Sequence, residues 1–310
     1  PELDFWQVGS RHLGLVLPGE IKNLQEQMRQ LGDCLEKTLD VDALLKLGEK
    51  ADIDVLGSVT VTADGSSQKC EAQKNADLVL QNQFAGEKIS HSAIPIRLGV
   101  AWDEAFCFYY RDNLEFLEKQ GVQIVRFSPV HDKHLPDDLD GLLLGGGYPE
   151  LYAKALEENE TIRNEIRRKA EEDMPILAEC GGYLYLLKEL EDENGTGYEM
   201  AGVFSGKGYK KGKNSHFGYI TVQTEKDSLY LKAGETIKGH EFHYWESTQD
   251  ENELKMQAKK PTGKRSWPCV TVKNQVMAGF PHLYYPSLEG FGERFVQACD
   301  RYRMKRKRQQ

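Results

Sequence analysis

The chain has no C-x-x-C pair and no His/Cys cluster, and its six cysteines stand far apart at Cys34, Cys70, Cys107, Cys180, Cys269 and Cys299. Thiols scattered in this way exclude a zinc ribbon and a disulfide scaffold, so no metal site is expected and a reducing cytoplasm fits best. No stretch approaches about 18 uncharged apolar residues, so no membrane span is expected. The acidic, aromatic start PELDFWQVGS lacks the basic n-region of a signal peptide. It also lacks Met, which reads as a fragment or a processed product. Positive charge is short: 40 basic against 49 acidic residues leave a formal charge of −9. That balance argues against general nucleic-acid binding, and the basic tail RYRMKRKRQQ reads as a solvated helix end.

What is present divides near residue 94. In residues 20–50, Ile21, Leu24, Met28, Leu31 and Leu35 recur at helical spacing, followed by Val41, Leu44, Leu45 and Leu47. The pattern predicts two helices. Residues 51–93 show no sustained period and read as a linker. From residue 96 apolar strand-like runs alternate with helical ones: strands at 96–102, 122–129, 139–147 and 175–180, helices at 109–121 and 158–173 and after residue 180. Such alternation predicts an α/β domain over residues 94–310, with a mostly parallel sheet and helices on both faces, preceded by a helical partial domain in residues 1–93. Beyond residue 198 the runs shorten and become β-like, and GFGERFVQACDRYRMK closes the chain as a helix.

The stretch ILAECGGYLYLL, residues 176–187, sets Cys180 where a strand gives way to a helix. A thiol on such a turn stands above a helix amino terminus, whose partial positive charge favours the thiolate, and glycines after it let a substrate reach the backbone N–H groups. This is the layout of a nucleophile elbow with Cys in place of Ser. His282 in MAGFPHLYYPS is the candidate base, and Gly146, Gly147 and Gly181 are candidate donors to an oxyanion. The competing reading is a packed core cysteine.

At these residues the sequence resembles a known family. DEAFCFYYRDNLEFLE, FSPVHDKHLPDDLDGLLLGGGYPEL, AECGGYLYL, YEMAGVF, GHEFHY and HLYYPSLEGFGERFVQAC are similar, in order, to the cobyrinic acid a,c-diamide synthases, whose carboxyl-terminal part is a class I glutamine amidotransferase domain. The resemblance implies that Cys180 is the nucleophile toward L-glutamine and His282 its base, with no cofactor for that half-reaction. It implies ATP and Mg²⁺ in the full enzyme, a corrinoid polycarboxylate as acceptor, and an ATPase domain or chain as partner. The acceptors hydrogenobyrinic acid and nickel sirohydrochlorin stay open, as does a non-catalytic docking domain. In related amidotransferases a glutamate stands two residues after the histidine; here that position is Tyr284, and Glu289 is the substitute to consider. Residues 1–93 resemble only the last part of a P-loop ATPase domain. No G-x-x-x-x-G-K-[ST] occurs, and SGKGYKKGKNS is not one, since five residues separate Gly206 from Gly212 and Asn214 follows Lys213. The ATP-binding half is therefore expected elsewhere. The apolar helices 20–50 without a parent sheet suggest self-association, a homodimer, or a missing partner.

Other residues have several readings. His240 and His243 face substrate or the partner domain, or pack; metal ligation lacks a third ligand. Lys207, Lys210, Lys211 and Lys213 attract a polycarboxylate or lie on a solvated loop. Tyr148 and Glu150 hold glutamine's polar ends, and Asp103 serves the site or caps a helix.

Overall fold

The computed structural model describes residues 10–11, 14–15, 21–49, 94–211, 216–249, 254–263 and 265–308. The chain divides into two units, residues 1–90 and 91–310. In the first, the two helices expected from the apolar spacing form as α1 (Leu24–Thr38) and α2 (Val41–Glu49). Most of their apolar residues stay open, with Met28 52% and Leu45 62% exposed, while Leu24 and Leu31 are half-buried. The linker expected over residues 51–93 lies outside the described residues.

The second unit is an α/β fold around a ten-stranded sheet. Its strands are β1 (Ile96–Ala101), β2 (Val122–Phe127), β3 (Gly141–Leu144), β4 (Ile176–Glu179), β5 (His216–Gln223), β6 (Thr236–His243), β7 (Leu254–Lys259), β8 (Ser266–Lys273), β9 (Val276–Gly279) and β10 (His282–Leu283). They lie in the order β10-β6-β5-β7-β8-β9-β4-β3-β1-β2. From β9 to β2 all neighbours are parallel; from β9 back to β10 all are antiparallel.

In the parallel half successive side chains go to opposite layers, as the pleat requires. Leu142, Leu144, Ile176, Ala178, Val276 and Ala278 enter one core with α4 (Ala153–Glu158), α5 (Glu160–Glu171) and α6 (Gly181–Leu186). The intervening Leu143, Leu177 and Met277 enter the other with α3 (Arg111–Lys119) and α7 (Phe291–Lys307). Being buried on both faces is why these strands read as unbroken apolar runs. The helix expected after Cys180 ends earlier than its apolar pattern, at Leu186, because the chain turns into the short strand Glu189–Glu191.

The antiparallel half curls. β9 ends at Gly279 and β10 begins at His282, yet they lie at opposite ends of the antiparallel run. Three residue steps span no more than about 11 Å, so the six strands must bend round until β10, paired with β6, returns beside the ends of β9 and β4. Among the described residues no helix is long and apolar enough to cross a membrane.

Candidate active site

Three adjacent parallel strands end at one place. β3 runs into Gly145–Gly147, β4 into Cys180, and β9 into the turn that carries His282. Ligands of parallel sheets bind at this carboxyl edge. Cys180 caps α6 with φ 50° and ψ −104°, a left-sided backbone rare for a residue with a Cβ. The surroundings hold it there: its N–H donates to Gly279 O at 2.8 Å, and Gly182 N–H donates to Gly145 O at 2.8 Å.

The glycines are required by contact. A Cβ on Gly146 would lie 2.3 Å from His282 Cε1; one on Gly181 would lie 3.1 Å from Gly147 N; one on Gly182 would lie 2.1 Å from Leu144 O. The contacts of Gly146 with the His282 ring and of Gly181 with Gly147 thus bring the Cys180 turn and that ring to the same end of the sheet. Tyr109 braces it from behind, donating to Ala101 O, accepting from Gly145 N–H and stacking on Trp102. Tyr148 is buried, its ring edge-on to Phe108, so it backs the glycine turn and does not face an open cleft.

The electrostatics differ from the expected thiolate. Burial pushes the Cys180 thiol up to about 12, the nearby carboxylate of Glu150 adds to this, and the Gly181 N–H opposes it. A two-turn helix cannot outweigh that desolvation. Burial also holds His282 down at about 4, helped by His240 and His243. Near neutral pH the resting groups are therefore a neutral thiol at Cys180 and a neutral imidazole at His282.

Two polar residues that sequence reasoning missed fix the histidine strand. Asn113 of α3 is buried, donates Nδ2–H to Leu283 O at 2.7 Å and accepts Tyr285 N–H at 2.9 Å. Glu179, the residue before the cysteine, accepts Leu283 N–H at 3.3 Å and Tyr285 O–H at 3.1 Å on Oε1. Its Oε2 lies 3.9 Å from His282 Nδ1. The AEC stretch held the only sequence signal, a carboxylate at the end of an apolar strand.

Other candidates fall elsewhere. Glu289 is exposed, and Tyr284 turns outward to donate to Asp112 at 3.2 Å, so neither backs His282. His240 and His243 sit three apart on β6 and point to opposite faces. His240 neighbours the exposed rings of Phe217 and Tyr219, whereas His243 is buried and stacked on Phe280 at 4.0 Å. Of the two, His240 lies on a partly open face and His243 on the buried one. Asp103 accepts from Ala105, Phe106, Ser128 and Val130 and holds its own loop. Lys207 pairs with Glu189 and Glu191, Lys210 with Glu193 and Lys211 with Glu246, while Lys213 lies outside the described residues.

Residues 97–288 match the family described as CobB/CobQ-like glutamine amidotransferase domain. A cobyrinate a,c-diamide synthase of Caldanaerobacter subterraneus subsp. tengcongensis is 34% identical over 96% of this chain and 59% of its own length. One from Syntrophotalea carbinolica is 35% identical over 94% of this chain and 58% of its own length. The chain thus spans just under three fifths of the curated relatives it matches. Among solved structures, PurLQS from Thermotoga maritima is 19% identical, with 67% of this chain and 99% of that one covered and a TM-score of 0.47.

Proposed function

The chain belongs to the family of CobB/CobQ-like glutamine amidotransferase domains, and from that premise we propose that it hydrolyses L-glutamine and supplies the ammonia for amidating the a and c acetate carboxylates of a corrinoid in cobalamin biosynthesis. The observation that carries the reading is the strained Cys180 turn, whose Gly181 packs against Gly147 while the neighbouring Gly146 packs against the ring of His282.

The chemistry follows from the neutral pair. His282 takes the thiol proton as Sγ attacks the side-chain amide carbon of glutamine, and backbone N–H groups of the glycine turn receive the oxyanion. Collapse expels ammonia, which leaves with the proton held by the imidazole. Water, deprotonated by the same ring, cleaves the glutamyl thioester and releases glutamate. Glutamine and water become glutamate and ammonia, and the enzyme is restored.

Activation of the acceptor carboxylate by ATP and Mg²⁺ is assigned to a P-loop ATPase domain or chain, whose last part residues 1–93 resemble. The residues in hand do not fit that group: no P-loop occurs in the sequence, and the described residues contain no set of three or more His, Cys, Asp or Glu able to hold a metal. No step is therefore routed through it. The same absence leaves the choice among cobyrinic acid, hydrogenobyrinic acid and nickel sirohydrochlorin to the partner.

Glutamate release, with and without the ATPase partner, tests the reading. Cys180→Ala should lower it by more than about 10³-fold while sparing ammonia-dependent amidation by the reconstituted enzyme. A diazo-ketone analogue of glutamine should label Cys180 and not Cys107 or Cys269. Because Cys34 and Cys107 are more exposed than Cys180, labelling spread over the accessible thiols would sink the assignment. No release even with the partner would mark a docking domain.

A further inference from the structure

The base needs something to hold it. An imidazole that must present a bare nitrogen to the thiol keeps its other nitrogen protonated, and a hydrogen-bond acceptor on that side selects this tautomer. The position two residues after His282 cannot supply one, because Tyr284 is turned to Asp112.

The geometry points to Glu179 as the positioning carboxylate of His282, reaching it from the nucleophile's own strand. Three observations carry this. The side chain of Glu179 leaves β4 on the layer of Leu177, the same layer that holds Leu283 and Tyr285. Its Oε1 takes two donors of the histidine segment, Leu283 N–H in the strand and Tyr285 O–H in the turn after it, so the group cannot swing away. Its Oε2 is thereby aimed at His282 Nδ1, 3.9 Å off. A stitch between strands needs only Oε1; the second oxygen has the ring to serve. The gap closes to hydrogen-bond length with about 1 Å of ring movement, the tightening that occupied sites show over empty ones. With Nδ1–H held there, Nε2 is the nitrogen left to exchange the proton with Cys180. Glu179 itself gives up and receives no proton in the cycle; it fixes the ring and offsets the imidazolium charge.

This inference rests on the glutaminase reading, and its test separates the two. Glu179→Gln keeps an oxygen for Leu283 N–H and Tyr285 O–H but puts an NH₂ group toward Nδ1. Glutaminase kcat should fall about 100-fold with KM for glutamine within about twofold, because the ring and not the substrate is affected. In ¹⁵N-histidine NMR above about pH 8, where Glu179 is ionised, the Nδ1–H form of His282 should dominate the wild type and give way to Nε2–H in the variant. Wild-type kcat in Glu179→Gln, with Cys180→Ala dead, overturns the Glu179 assignment alone. A wild type and a Cys180→Ala variant that are equally inert overturn the glutaminase reading, and the tautomer then decides Glu179 by itself. Should the Gln variant not fold, a wild-type His282 found as Nε2–H at that pH overturns the proposal, and one found as Nδ1–H supports it.

Discussion

In the parallel half of the sheet, each strand between β9 and β2 is covered on both sides, and its apolar side chains alternate between two sealed layers. In the antiparallel half, Phe217 and Tyr219 of β5 stand 61% and 76% exposed on one side, while the other side of β6 buries Glu241 and His243 at 1% and 4%. The first region places Cys180 by close packing of backbone and methyl groups. The second places His282 by a few polar stitches, from Asn113 and Glu179, at the end of a curled ribbon. A proposed nucleophile set by packing and a proposed base set by hydrogen bonds should fail in different ways.

The largest effect is expected where packing is backbone on backbone. A Cβ at Gly182 would lie 2.1 Å from Leu144 O, an atom of β3 that cannot move without its ladder. Gly182→Ala should cost about 3 kcal/mol of stability, read as a lowered urea midpoint with activity and fold lost together. A midpoint unchanged from the wild type would show that the nucleophile turn is not held by packing.

The matching change on the base side should spare the fold. At Gly146 the atom in the way is Cε1 of His282, 2.3 Å from the added carbon, and a side chain can yield. Gly146→Ala should displace the ring by about 1 Å and lower kcat about 100-fold, with stability within about 1 kcal/mol. Equal losses of fold in Gly146→Ala and Gly182→Ala would erase the distinction.

What the sequence made legible follows the same division. Ile96–Ala101, Gly141–Leu144 and Ile176–Glu179 read as strands because burial on both faces demands continuous apolar residues. Cys180 stood out because a turn with two glycines has a local signature. The base strand has none: Glu179 meets Leu283 and Tyr285 across 104 and 106 positions, and Asn113 meets Leu283 across 170. Such partners are chosen by the curl of the sheet, which no short-range pattern encodes. The missed thiol state has the same origin, since burial, a property of the whole fold, outweighs the helix end that the local sequence advertised.

The pH profile sharpens the comparison at about tenfold. Burial first, against the Leu283 N–H and Tyr285 O–H donors, raises Glu179 to about 8; burial lowers His282 to about 4. His282 is thus already neutral near pH 7, and the carboxylate form of Glu179, faced by Cys180, His282, Tyr109, Tyr110 and Tyr285, is the one still being gained. Glutaminase kcat should climb with pH through about 8, standing near a tenth of its plateau at pH 7. Stability should run the other way: a carboxyl raised in the folded state keeps its contribution below the unfolded value of 4.5 and loses it as pH rises through about 8. A rate limb at the ordinary histidine value, unchanged by Glu179→Gln, would return control to His282.

The smallest effect concerns the buried polar face of the antiparallel half, and its sign is the point. Glu241 takes one neutral donor, Trp267 Nε1–H at 3.1 Å on Oε2. The same oxygen lies 3.9 Å from His243 Nε2 and 4.0 Å from His216 Nδ1, and neither nitrogen nor Glu241 Oε1 has a hydrogen-bond partner. His243 Nδ1 must be the protonated nitrogen, since it faces Trp245 O at 2.6 Å and a carbonyl only accepts. In the neutral ring Nε2 is then a bare lone pair directed at a carboxyl group. A buried carboxylate with a single neutral donor is poorly compensated. Glu241→Gln keeps an oxygen for Trp267, removes the charge and adds a donor to the cluster, so thermal unfolding should show it more stable by about 1 kcal/mol. A comparable loss of stability would mean that His216 or His243 carries a proton and pairs with Glu241. The antiparallel half would then be held by charge as well as by hydrogen bonds.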